Sequence, residues 1–300
     1  MSDPAAIRIV EVGPRDGLQN EPGVVATGTR IELIRRLAAT GLRTIEAGAF
    51  VSPRQVPQMA DTAAVLAGLG DLRGVALPVL VPNERGLADA VAAGAREIAV
   101  FTAASETFSR RNTNASIAQS LERIAAVAAA SAGRGLRLRG YVSCVLGCPY
   151  EGEVDSGRVA ELVARLVALG CEEVSLGDTI GVGTARRARA MLLTVARHVP
   201  IGRLALHFHD TYGQALANIL ACLELGITTL DSSVAGLGGC PFAPGAGGNV
   251  ATEDLLYMLD GLGLRTGVDL DAVVATGHWI CAELGRGNAS RVGRARAPRG

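Results

Sequence analysis

The 300-residue chain contains no lysine: all 29 of its basic residues are arginine. That absence removes whole chemistries, because a Schiff-base aldolase, a pyridoxal-phosphate enzyme and a Walker-type nucleotide site each need a lysine amine or ammonium. Drift toward Arg codons in a GC-rich genome would explain the bias, and the exclusion holds either way. Aromatic residues make up only 3% of the chain while Gly numbers 38, so the interior has to be assembled from Ala, Val, Leu and Ile, with many tight turns between elements. There is no net charge, with 29 acidic residues against 29 basic ones, which argues against nucleic acid as the main partner. The longest charge-free stretch, 232–252, carries six glycines and two prolines and cannot form a lipid-spanning helix. No membrane segment is expected. The opening residues MSDPAAIRIVEVG lack the charged start and apolar run of a signal peptide, and cysteines at only six positions suit a reducing compartment, so a cytoplasmic location is expected.

What the chain does have is 49% hydrophobic content, arranged in short runs. Eight β-branched or apolar runs recur, at 7–13, 44–50, 74–80, 97–103, 137–145, 172–178, 204–210 and 228–234. Between them lie segments such as 30–41, 84–95 and 157–170, whose apolar residues recur at three- and four-residue spacing and which end in or near Gly. Eight strand–helix units predict a (β/α)8 TIM barrel, an α/β fold that typically takes about 250 residues. The rival is a doubly wound open sheet, which would show a Gly-rich phosphate turn after the first strand, where this chain has Pro and charge. We expect one catalytic barrel domain over 1–285, with a C-terminal helical extension, followed by an Arg-rich, solvated tail over 286–300.

In a barrel the reactive groups gather at the C-terminal ends of the strands. Arg15 and Asp16 end the first run, Glu46 lies in the second, Asp178 ends the sixth, and His207 and His209 end the seventh. On a strand the two imidazoles share one side and Phe208 takes the other. One carboxylate and two imidazoles suit a divalent cation, and with added oxygen ligands the ion would be Mg2+ or Mn2+. Each residue also has a plainer reading. Asp16 could be a turn former, the His pair structural, Glu46 the partner of a core Arg, and Asp178 the cap of the next helix. The segment 236–249 after the eighth run is long and Gly-rich, as in an active-site loop, and Cys240 within it is exposed by context. Cys144 and Cys148 have no second pair to complete a zinc site.

Taken together, EVGPRDGLQNE, IEAGAFVSPRQVPQMAD, GYVSCVLGCPYEGEV, SLGDTIGVGTA, HFHDTYGQALAN and DSSVAGLGGCPFAPGAGGNVATEDL resemble the hydroxymethylglutaryl-CoA lyases, across residues 7 to 285. These are a branch of a metal-dependent barrel family that also holds the isopropylmalate synthases and hydroxy-oxovalerate aldolases. The resemblance implies metal ligands at Asp16, His207, His209 and Asn249, a catalytic arginine at Arg15, and a loop cysteine acting as proton donor at Cys240. It implies supporting polar positions at Gln19, Glu46, Asp178 and Glu253, with Asp178 or His207 as general base. Pro22, Phe242 and Gly247 depart from the family's frequent residues, none at an implied ligand. The implied reaction is retro-aldol cleavage of 3-hydroxy-3-methylglutaryl-CoA to acetyl-CoA and acetoacetate in leucine degradation, by a homodimer. Alternatives are a larger 3-hydroxy-3-substituted glutaryl-CoA as substrate, a Claisen-type synthase, or a metal-binding barrel without activity.

Overall fold

Each of the eight runs contributes to one parallel sheet in the computed structural model, which describes residues 6–239 and 248–297. Its strands are β1 (Arg8–Glu11), β2 (Thr44–Ile45), β3 (Gly48–Ala49), β4 (Val79–Leu80), β5 (Glu97–Ala103), β6 (Arg137–Ser143), β7 (Glu173–Asp178), β8 (Leu204–Phe208) and β9 (Thr229–Ser232). The order is β2-β1-β9-β8-β7-β6-β5-β4-β3. β2 and β3 are two halves of the single run 44–50. Across the break, Ile45 N donates to Ala76 O at 3.0 Å, Glu46 N to Glu11 O at 2.9 Å and Ala47 N to Pro78 O at 3.0 Å. That backbone is bonded on both sides, so the sheet closes and the fold is a (β/α)8 barrel.

The strands are shorter than the runs for local reasons. Pro78 has no N–H to give the ladder, and from 74–80 only Val79–Leu80 survives as a strand. The first run stops at Glu11 because Gly13–Gly17 winds into a π-helical turn with Pro14 near its start. Such turns are rare and concentrate at functional sites, and this one carries Arg15 and Asp16. At the break in the second run, a Cβ on Gly48 would sit 2.4 Å from Thr62 Oγ1 and 2.9 Å from Arg30 Nη2. Only glycine lets the fully buried Arg30 reach Ala47 O, 3.1 Å away, beside Glu46.

The helical segments fall at Thr27–Ala39, Glu84–Ala92 and Ser156–Ala168. Asn83 and Asp155 cap the latter two by accepting from Gly86 N and Arg158 N. The tail, expected to be solvated and poorly ordered, is largely exposed over 286–297 but folded. Arg291–Ala295 is a short helix capped by Ser290, and Asp254 on the helix Thr252–Gly261 accepts from Ser290 Oγ, Arg291 N and Val292 N at 2.7, 3.1 and 2.8 Å. The tail holds no acid of its own, so its sequence gave no sign that Asp254 and Asp210 elsewhere would receive it.

Apolar side chains pack between sheet and helices, as Leu204, Leu206 and Phe208 do on β8. The barrel interior is polar. Arg139 on β6 reaches Asp231 on β9, and Tyr141 on β6 reaches Glu46 between β2 and β3. These strands are not neighbours, so the contacts cross the inside of the barrel. Arg8 and Arg139 both pair with Glu173 lower down, and a ladder of alternating charge rises from there to the mouth. Branched apolar residues usually fill these layers, and burying charge instead requires the partners seen here.

Candidate active site

At the C-terminal mouth of the strands lies a cavity of about 830 Å³, lined among others by Arg15, Asp16, Gln19, Tyr141, His207 and His209. Asp16, His207 and His209 each offer one ligand atom, and all three atoms lie within 4.8 Å of one another. This is the trio expected from the sequence. Asn249 joins it through an isolated bridge to His209, with its Nδ2 donating to Asp16 Oδ2 at 2.8 Å and to Leu237 O at 3.2 Å. A Cβ on Gly238 would lie 2.7 Å from that amide nitrogen, so glycine at φ 129° makes room for it.

Arg15 is buried at the side of this trio. Its Nη1 donates to Asp16 Oδ1 at 2.7 Å and its Nε to Glu46 Oε2 at 2.8 Å. Glu46 Oε1 in turn accepts from the Tyr141 hydroxyl at 2.7 Å. Glu46 therefore does have an arginine partner, and the partner is Arg15 at the cavity wall. Burial alone would raise the Asp16 pKa, but the Arg15 charge, the two imidazoles and the Asn249 amide outweigh it and hold the carboxyl at about 2. Burial, with His207 beside it, lowers His209 to about 4, so its ring is neutral at pH 7. For His207 burial also pulls downward, but the hydrogen bond it donates to Asp231 and the charges of Asp16 and Asp231 prevail, and its pKa is raised.

The donor set fits a divalent cation. An ionised carboxylate and a neutral imidazole are in ligating form, and His209 Nδ1 is a buried polar atom with no hydrogen-bond partner among the described residues.

None of the three expected supporting carboxylates lines the cavity: Glu46 acts on it through Arg15, and the other two stand apart. Asp178 is fully buried and accepts from Val182 N at 3.2 Å and Gly183 N at 2.9 Å. From that strand end the cavity takes Gly177 and Thr179 instead. In the register Gly177 lies level with His207, whereas Asp178 lies level with Phe208, on the helix side. Asp178 thus holds the turn ahead of the helix Ala185–Val195, whose own N-cap is Thr184 without a side-chain bond, and it does not line the cavity. Glu253 likewise accepts from Ala235 N with both oxygens at 2.9 Å, at the entrance to the Gly-rich segment. Cys240 lies outside the described residues.

Asp231, Tyr141 and Arg139 were missed by inspecting strand ends alone. Asp231 and Arg139 sit inside runs, and a charged residue within a buried strand was itself a usable signal. Asp231 accepts from Arg139 and Ser175 and contacts His207 Nδ1 at 3.2 Å.

Barrels that collect ionisable groups at this end of their strands are enzymes, and a donor set of this composition places the chain among those built around a divalent-cation site. The relatives narrow that class. Residues 6–280 match the HMGL-like family. The chain is 58% identical over 292 residues to the cytoplasmic 3-hydroxy-3-methylglutaryl-CoA lyase of Danio rerio, covering 97% of this chain and 87% of that one. It is 56% identical to the mitochondrial hydroxymethylglutaryl-CoA lyase of Gallus gallus, covering 97% and 98% of the two. The crystal structure of hydroxymethylglutaryl-CoA lyase from Pseudomonas aeruginosa superposes with a TM-score of 0.95 at 56% identity, covering 98% of each chain. The chain belongs to the HMGL-like family.

Proposed function

We propose that this protein is a carbon–carbon lyase that cleaves 3-hydroxy-3-methylglutaryl-CoA to acetyl-CoA and acetoacetate, in leucine degradation. One observation carries the reading: a permanently cationic Arg15 faces the cavity directly beside the Asp16, His207 and His209 cluster. A charge stabiliser and a cation site side by side are what retro-aldol cleavage of a tertiary alcohol requires. Asp16, His207, His209 and Asn249 would hold Mg2+ or Mn2+. When bound, that ion supplies Lewis-acid polarisation and orientation of the substrate's hydroxyl and carboxylate oxygens.

The protein's own groups do the rest. As the carbon–carbon bond breaks, negative charge gathers on the thioester oxygen, and the Arg15 guanidinium stabilises it without transferring a proton. Glu46 fixes the direction of that guanidinium, and the Tyr141 hydroxyl fixes Glu46. Of the two base candidates only His207 lines the cavity, so we assign it acceptance of the 3-hydroxyl proton. A ring that has taken that proton at Nε2 would have no lone pair left for a cation, which Asp16, His209 and Asn249 would then hold. We assign protonation of the departing acetyl fragment to Cys240, on the Gly-rich segment whose entrance Glu253 holds.

Cys148, Cys171, Cys222 and Cys281 are buried free thiols, and we keep a reducing compartment such as the cytoplasm as part of the proposal. Among the described residues no helix is long and apolar enough to cross a membrane. A homodimer remains our proposal for the assembly. The test of substrate is mass-spectrometric identification of products from a panel of 3-hydroxy-3-substituted glutaryl-CoA thioesters. The methyl compound should turn over fastest and release acetyl-CoA with acetoacetate. A preference for larger substituents would move the assignment to another branch, and condensation without cleavage would move it to a synthase.

A further inference from the structure

We propose that Asp231 is a positioning residue for the cation site: it holds His207 in the tautomer that carries its proton on Nδ1, leaving the Nε2 lone pair directed toward Asp16 and His209. The inference rests on the proposed role of those three residues as ligands. Asp231 is almost wholly buried and does not line the cavity. Its Oδ2 lies 3.2 Å from His207 Nδ1, and Nε2 of the same ring lies 3.8 Å from Asp16 Oδ2. An ionised carboxylate has no proton to give, so at this contact Nδ1 must be the donor. That Asp231 is ionised follows from its other partners: Arg139 donates to Oδ1 at 2.7 Å and to Oδ2 at 3.1 Å, and Ser175 Oγ donates to Oδ2 at 2.9 Å.

The backbone builds the pair. His207 and Asp231 are register partners on adjacent parallel strands, so their side chains leave the sheet at one level on the inner face. Tyr141 meets the imidazole edge-on, with centroids 5.8 Å apart and an interplanar angle of 83°, which restricts rotation of the ring. A ligand imidazole steadied through its second nitrogen by a carboxylate is better oriented and more basic, and losing the carboxylate typically costs 10- to 100-fold in metal affinity. A purely structural ion pair would explain Arg139 with Asp231. It would not require the imidazole as a third party, since Glu173 already shares Arg139.

The experiment is a Mn2+ titration, read by the paramagnetic resonance of free ion, on the wild type, Asp231→Asn and Ser175→Ala. It is paired with a long-range 1H–15N spectrum of the imidazoles in the metal-free wild type, where four histidines make assignment tractable. Asp231→Asn should weaken Mn2+ binding by about 10- to 100-fold. Ser175→Ala removes one hydrogen bond but keeps the carboxylate, and should stay within about threefold. Recorded at alkaline pH, where the ring is neutral, the spectrum should show His207 protonated on Nδ1 and bare on Nε2. Wild-type affinity in a folded Asp231→Asn variant, or the opposite tautomer in the wild type, overturns the proposal. If Asp231→Asn does not fold, the wild-type spectrum decides alone. If the wild type itself does not bind Mn2+, the cation reading fails, and the tautomer still tests Asp231 separately.

Discussion

Two groups of buried carboxylates lie around the mouth of the barrel in opposite electrostatic settings. Asp16, Glu46 and Asp231 point into the barrel and each meets an arginine. Glu11, Asp178 and Glu253 point toward helices and loops and are held by backbone N–H groups, with Thr252 adding a hydroxyl to Glu11. Burial raises the outer group to about 7, 6 and 8 respectively, because hydrogen bonds from neutral donors do not offset lost hydration. Burial acts on Asp16 and Asp231 too, yet there the cations win and both stay low. Facing inward with a cation makes a carboxylate part of the chemistry. Facing outward without one makes it a clamp on the backbone that shapes the mouth.

The largest effect that tests this contrast belongs to Arg15. Arg15→Gln should lower turnover of the CoA thioester by about 10²-fold or more, the scale of a lost charge stabiliser. A loss of less than about tenfold would take the central charge out of the mechanism. Asp178→Asn should behave as a clamp mutation. It keeps one acceptor, leaves one backbone N–H unsatisfied and should cost about 1–3 kcal/mol of stability, read from denaturant unfolding. Its turnover and pH profile should stay near wild type, whereas a true general base would lose about 10²- to 10⁴-fold.

The outer group should also leave its mark on stability against pH. An acid whose folded pKa is raised stabilises most below its unfolded value, about 3.9 to 4.3, and that stability is lost as pH rises through the folded value. The unfolding midpoint should therefore fall from about pH 4 upward and level off by about pH 9, once Asp178, Glu11 and Glu253 have ionised through about 6, 7 and 8. Glu11→Gln with Glu253→Gln should flatten that slope, since a neutral amide mimics the protonated acid. An unchanged slope would mean these groups are ionised throughout. Asp16 acts in the opposite sense, losing its contribution only as pH falls toward about 2, outside this window.

The smallest effect is at the C-terminal strap. Arg291 pairs with Asp210 at 2.8 Å, but its side chain is 59% exposed. Arg291→Ala should cost about 0–1 kcal/mol, as exposed pairs do. A several-fold loss of activity there would show the strap governing His209 through its neighbour.

The barrel was legible because periodicity survives in single sequences: eight runs separated by helical patterns left little choice of fold. The His207 and His209 pair and Asp16 were legible because strand alternation puts the imidazoles on one side and barrel strands all end at one mouth. Which carboxylates faced that mouth was not. Asp178 and His207 both end strands, and a shift of one residue in register decides which faces inward. Asp231 and Tyr141 lie inside their runs, and their partners Arg139 and Glu46 lie across the barrel on non-neighbouring strands, a distance that no sequence spacing expresses; the charge of Asp231 inside a buried strand was the one usable sign. The docked tail escaped because its acceptors, Asp254 and Asp210, belong to elements far earlier in the chain.

The most direct measurement is turnover of 3-hydroxy-3-methylglutaryl-CoA by the intact protein before chelation, after exhaustive EDTA treatment, and after Mg2+ or Mn2+ is returned. Acetyl-CoA and acetoacetate should form at first, cease under EDTA, and reappear in equal amounts once the cation is restored. Undiminished cleavage in EDTA would contradict the account, because Asp16, His207 and His209 would then be holding nothing the reaction needs.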